Sequence, residues 1–66
     1  MELLRTKEVV ELLRRRSVEV SDRTIVRYVR EGFIPVEYVI IKRRGRRKYF
    51  LFKPEVVDYL EKKLSA

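Results

Sequence analysis

Apolar residues change rhythm twice along the chain. Val9, Val10, Leu12 and Leu13 recur at helical spacing and predict one apolar side of a first helix. Thr6 is placed to cap that helix, which should start near Lys7 and end around Arg15 or Arg16, with Glu8 set against the helix dipole. Ser17-Val18-Glu19-Val20 reads as a connection, with Val18 and Val20 tucked inward. Ser21 is the next N-cap and Asp22 follows in the first turn, so a second helix is predicted over 22–31. Gly32 suits a helix end because it tolerates positive φ, and Pro35 bars continuation.

The pattern then turns β-branched and aromatic. Val36–Ile41 and Tyr49–Phe52 predict two strands, with a basic segment containing Gly45 between them. A two-residue turn at Arg44-Gly45 would set Ile40 opposite Tyr49 and Val39 opposite Phe50. Pro54 reads as the first residue of a third helix, whose apolar side is Val56, Val57, Leu60 and Leu64. The predicted fold class is α+β, mostly α. The order helix, helix, two-stranded β-hairpin, helix describes a winged helix-turn-helix, as one domain over residues 1–66. The first and third helices should pack under the second and present it.

Composition sharpens this picture through charge. The chain has 66 residues, with 17 Lys+Arg against 10 Asp+Glu and a formal net charge of +7. The positive charge is segregated: Arg14-Arg15-Arg16 is one cluster, and Lys42-Arg43-Arg44-Gly45-Arg46-Arg47-Lys48 is a second. A polyanionic partner accounts for such segregation. On a wheel of 100° per residue, Ile25, Tyr28 and Val29 share the inward side of the second helix. Arg23, Arg27 and Arg30 fall together opposite them. Arginine donates in parallel to guanine O6 and N7 and also grips phosphate, so this stripe suits a helix in the major groove. Ser21, Asp22 and Thr24 lie at the helix start, where base approach occurs in helix-turn-helix proteins, and Val26 lies beside the stripe. Asp22 could accept from a cytosine amino group, but first-turn dipole compensation is its simpler role.

Lys42, Arg43, Arg44, Arg46, Arg47 and Lys48 crowd the hairpin, and Gly45 permits a tight tip. Their mutual repulsion would be relieved by neutralising phosphates or by entering a narrow minor groove. Tyr38, Tyr49, Phe50 and Phe52 read as core packing in a chain that can spare few large apolar groups.

Other classes fit less well. The chain has no His, no Cys and no phosphate-cradling glycine loop, so no catalysis, cofactor or metal is expected. No apolar run approaches the ~20 residues of a membrane span, and no apolar leader precedes residue 6. A cytoplasmic, nucleoid-associated protein without a membrane partner is expected. Two further binding readings use the same charge. One is an RNA-binding module built from the basic hairpin and the strand aromatics. The other is a protein-interaction module for an acidic partner.

Ser21-Asp22-Arg23-Thr24-Ile25-Val26-Arg27-Tyr28-Val29-Arg30-Glu31-Gly32-Phe33-Ile34-Pro35 resembles the second helix and its exit in MerR-like and phage-excisionase winged-helix domains. There a Ser, an Arg-Thr pair, an aromatic and a closing Gly-x-aliphatic-Pro recur. Thr6–Leu13 is similar to their first helix, and Phe52–Leu60 to the segment closing the wing and opening the last helix. The resemblance implies double-stranded DNA contacts from Ser21 through Arg30 and from the wing tip. It also implies a role as a recombination directionality factor or a small transcriptional regulator. The connection Arg14–Val20 is longer than in the compact excisionases, and the hairpin is longer and more basic. The coiled coil and effector-binding domain of MerR-type regulators are not present, so no small-molecule effector is expected. Self-association on DNA at repeated sites is expected of so small a module.

Overall fold

Regular structure begins with a two-residue strand, β1 (Leu4–Arg5), in the computed structural model, which describes residues 2–65. Met1 and Ala66, the ends of the domain expected over 1–66, lie outside the described residues. There follow α1 (Thr6–Arg15), α2 (Asp22–Glu31), a 3-10 turn at Val36–Tyr38, β2 (Val39–Arg44), β3 (Arg47–Phe52) and α3 (Glu55–Leu64). The architecture is small α+β, with three ten-residue helices and a three-stranded antiparallel sheet ordered β1-β3-β2. The sequence pattern predicts only two strands. β1 is too short to show alternation, and it exists because Leu4 and Arg5 pair with Phe52 and Leu51 of β3.

That pairing moves the start of α1. Arg5 is held extended at φ −85°, ψ 164°, so the helix begins directly after it and Thr6 is its first residue, not its cap. Capping comes from inside the helix: Glu8 Oε1 accepts the Arg5 N–H at 2.9 Å. An arginine side chain has no acceptor, so only this half of a capping box operates.

Both α1 and α2 end in the same device. After α1, Ser17 sits in the left-handed region at φ +64°, and the Val18 and Ser17 N–H groups donate to Leu13 and Arg14 carbonyls at 2.9 Å each. After α2, Gly32 takes φ +77°, and the Phe33 N–H donates to the Tyr28 carbonyl at 2.9 Å. Each is a Schellman closure with its apolar clasp, Val18 on buried Leu13 and the Phe33 ring 4.7 Å from that of Tyr28. Only the second has glycine at the strained position. A left-handed L-residue costs roughly 1–2 kcal/mol, partly offset in glycine by its looser unfolded chain. Ser17→Gly is therefore expected to stabilise by about 0.5–1 kcal/mol, a rise in Tm of a few degrees in a thermal melt. Gly32→Ala is expected to lose about as much, from backbone strain alone, since an added Cβ meets nothing within 4 Å.

The hairpin differs from expectation in boundaries and register. Val36–Tyr38 is not strand but a 3-10 turn, closed by the Tyr38 N–H on the Pro35 carbonyl at 3.0 Å. The strands instead run into the basic segment, and the two-residue loop is Gly45-Arg46. Gly45 has φ +64° and Arg46 does not share the left-handed region, the pattern of a glycine-first type II′ turn. A loop at Arg44-Gly45 would need Arg44 at positive φ. Val39 consequently faces Phe52 and Ile40 faces Leu51. The strands are thus slipped by two residues from the expected pairing, and Phe52 lies fully in the core.

That core consists of Val9 and Leu13 from α1, Val18, Ile25 of α2, Ile34, Phe52 of β3, and Val56, Val57 and Leu60 of α3. α1 is the central post: it packs on α2, α3, β1 and β3. Pro54 stands one position before α3, as its cap, with a helical φ of −54°. Arg16, at the end of α1, ties that helix to α3 by hydrogen bonds to Asp58 and, at 3.2 Å, to Glu61. The Asp58 hydrogen bond foremost, then both nearby carboxylates, hold the Arg16 guanidinium above its ordinary pKa.

Candidate nucleic-acid interface

The α2 side chains divide into three sectors. Ile25 is buried, with Tyr28 and Val29 half-buried beside it, as the wheel predicts. Ser21 and Thr24 are engaged in the cap: the Ser21 Oγ accepts the Thr24 N–H at 3.1 Å and lies 3.0 Å from Thr24 Oγ1. With Arg14, Glu19 and Val20 they line a cavity of about 360 Å³ at the α1–α2 connection, where one cation faces one acid. Arg23 and Arg27 are exposed. Arg27 lies 3.8 Å from Glu31 and 5.8 Å from the Tyr28 ring centre. Asp22, Val26 and Arg30, spaced by four, line a larger groove.

That groove, about 770 Å³, runs between α2 and the hairpin. Its hairpin wall is Arg44 with Arg47, Lys48, Tyr49 and Phe50 of β3, and its end wall is Arg5, Thr6 and Lys7. Arg5, Lys7, Arg30, Arg44, Arg47 and Lys48 make six cations against the single acid Asp22. Of the residues singled out in the sequence, the groove therefore unites Asp22, Val26, Arg30, Arg44, Arg47 and Lys48. Ser21 and Thr24 fall on the far side of α2. Arg23 and Arg27 stand outside the groove, as do Lys42, Arg43, Gly45 and Arg46 of the hairpin.

Every residue from 41 to 49 is exposed, so the end of the hairpin stands clear of the body. Its basic residues are mostly on strands, not in a loop. The register sets Arg43 opposite Lys48 and Arg44 opposite Arg47. Two like-charged pairs directly across an antiparallel ladder oppose the fold. Lys48→Glu, which puts a carboxylate opposite Arg43, is expected to stabilise the free protein by about 0.2–1 kcal/mol in urea unfolding. The same change should weaken binding to any polyanion.

The two basic clusters of the sequence are treated differently by the fold. Arg14 and Arg15 both reach Glu11, at 3.8 Å, and Arg16 holds Asp58 and Glu61. Among the described residues, no carboxylate lies within 4 Å of a cationic nitrogen of the hairpin, of Arg23 or of Arg30. The first cluster has carboxylate partners within 4 Å; the second, among the described residues, has none.

Arg5, Thr6, Lys7 and Tyr49 were not singled out by sequence reasoning for this surface. The β1–β3 pairing and the packing of α1 on β3 bring the first three to the hairpin, and two residues of strand leave no periodic trace. Tyr49 is 45% exposed, unlike Phe52, which is buried, and Tyr38 and Phe50, which are half-buried. The expectation of core packing for all four aromatics thus fails at Tyr49, which the register places opposite Lys42 on the outer sheet face. No helix among the described residues is long and apolar enough to cross a membrane. Comparison with protein-family models, with curated proteins and with solved structures finds no match to this chain.

Proposed function

We propose that the chain is a non-catalytic, double-stranded DNA-binding domain of the winged helix-turn-helix kind. α2 enters the major groove, and the hairpin serves as the wing, on flanking backbone or in the adjoining minor groove. The observation that carries this reading is the groove between α2 and the hairpin, where six cations, none with a carboxylate within 4 Å among the described residues, face the single acid Asp22. Arg23 and Arg27 on the exposed side of α2, with Arg30 at the groove edge, supply donors for base edges and phosphates. The hairpin cations supply a sequence-neutral electrostatic grip. The resemblance to MerR-like and excisionase domains agrees with this division and suggests a recombination or transcription role. A single module buries about 600–1,000 Å² on DNA, so repeated or paired sites are part of the proposal.

The reading favours duplex DNA over RNA for one structural reason. Of Tyr38, Tyr49, Phe50 and Phe52 only Tyr49 is exposed, which leaves no platform for stacking several unpaired bases. The test is a titration of labelled duplex DNA at roughly physiological salt with structured RNA as competitor. Duplex binding that RNA displaces poorly supports the proposal. Equal displacement by RNA, or capture of an acidic protein that survives nuclease treatment, would set it aside.

A further inference from the structure

The groove between α2 and the hairpin has a third wall that neither helix nor wing provides. Arg5 sits on β1, and its pairing with Leu51 places it on the same sheet face as Tyr49 and Arg47, since alternate residues of β3 share a face. Lys7 follows in the first turn of α1, and both side chains are exposed at the groove's end. Neither has a carboxylate within 4 Å of its cationic nitrogens among the described residues. Glu8, next to Lys7 in the sequence, is held on the Arg5 main-chain N–H. β1 covers β3 only at Leu51 and Phe52, so the β3 edge from Arg47 to Phe50 stays open to the groove.

Duplex geometry says what such a groove would hold. The major and minor grooves of B-DNA are separated by a sugar–phosphate strand. A protein with a helix in one and a hairpin at the next must straddle that strand. We propose that the groove is the saddle for this strand, and that Arg5 and Lys7 are a third, independent phosphate clamp, with the Thr6 hydroxyl as a neutral donor between them. Val26 and Phe50 offer apolar surface to the deoxyriboses, while Arg30, Arg47 and Lys48 meet the phosphates from the sides. This inference rests on the duplex-binding reading above and extends it to residues outside both α2 and the wing. The clamp is blind to sequence, because phosphate contacts position a protein without identifying bases.

The experiment is the dependence of duplex affinity on salt for the wild type, for the double variant Arg5→Ala/Lys7→Ala, and for Lys62→Ala/Lys63→Ala on α3, away from the groove. Each lost phosphate contact removes about 0.9 from the slope of log K against log salt. The Arg5/Lys7 variant should flatten the slope by about 1.8 and weaken binding about 30-fold at 0.15 M salt. Its preferred sequence should not change, and the α3 variant should keep the wild-type slope. Ethylation interference on the wild type gives a second reading free of any folding effect. Modified phosphates should block binding on the strand that separates the helix-contacted groove from the hairpin-contacted one. A full slope in the Arg5/Lys7 variant, or no interference on that strand, overturns the clamp while leaving duplex binding standing. A wild type that binds no duplex even at low salt overturns both.

Discussion

Replacing Arg43, Arg44, Arg46 and Arg47 together by alanine is expected to weaken binding to duplex DNA of every sequence by about a thousandfold at 0.15 M salt. The estimate takes four phosphate contacts at about 0.9 each, a slope change of about 3.6 in log K against log salt. These arginines lie on an exposed hairpin end with no acidic partner within 4 Å among the described residues, so their charge is available to phosphate. The loss cannot be put down to unfolding. Arg44 faces Arg47 and Arg43 faces Lys48 across the ladder, and relieving that repulsion should leave the free protein at least as stable as before. Salt titrations of affinity and a thermal melt on the same variant check both halves. A slope unchanged by the loss of four arginines would mean that the hairpin does not touch the phosphate backbone.

Phe52→Ala is expected to unfold much of the population at 37 °C. Truncating a buried phenylalanine costs about 3–5 kcal/mol. A domain of this length has only about 3–10 kcal/mol in all. Phe52 is fully buried, pairs with Leu4 on one side and Val39 on the other, and forms the sheet's contribution to the core. Its loss therefore loosens β1 and the base of the hairpin together. Tyr49→Ala, three residues back on the same strand, should cost far less, about 0.5 kcal/mol, because Tyr49 is exposed and lies outside the core. Urea unfolding followed by circular dichroism separates the two. Similar losses in both variants would contradict the register that sends Phe52 inward and Tyr49 outward.

The contrast between those two aromatics shows where the sequence was legible and where it was not. The limits of α2 could be read directly, because Ser21, Gly32 and Pro35 are local signals with local physical causes, and the helix runs from Asp22 to Glu31 as they require. The inward set Ile25, Tyr28 and Val29 was equally plain from helical spacing. Gly45 carried more information than its mere presence: glycine at the first loop position of a two-residue turn fixes the register, and the alternative demanded positive φ from Arg44. What remained hidden was non-local. β1 is defined by a partner 46 to 48 residues away in sequence, and with the packing of α1 on β3 it sets Arg5 and Lys7 beside the hairpin. The fate of Arg16 was hidden for the same reason, since Asp58 and Glu61 reach it only in the fold. The arginine stripe on α2 was legible, but its division was not. Arg30 joins the groove while Arg23 and Arg27 stay outside it, a distinction set by where the hairpin stands.

The most direct test of duplex binding is selection from a random double-stranded DNA library at roughly physiological salt, with structured RNA as competitor. The proposal predicts enrichment of a short motif, repeated or paired at a fixed spacing, that Arg23→Ala blurs at particular positions and hairpin variants weaken without altering. No enriched motif, with RNA competing as well as DNA, would contradict groove reading by α2 and leave a general polyanion-binding surface.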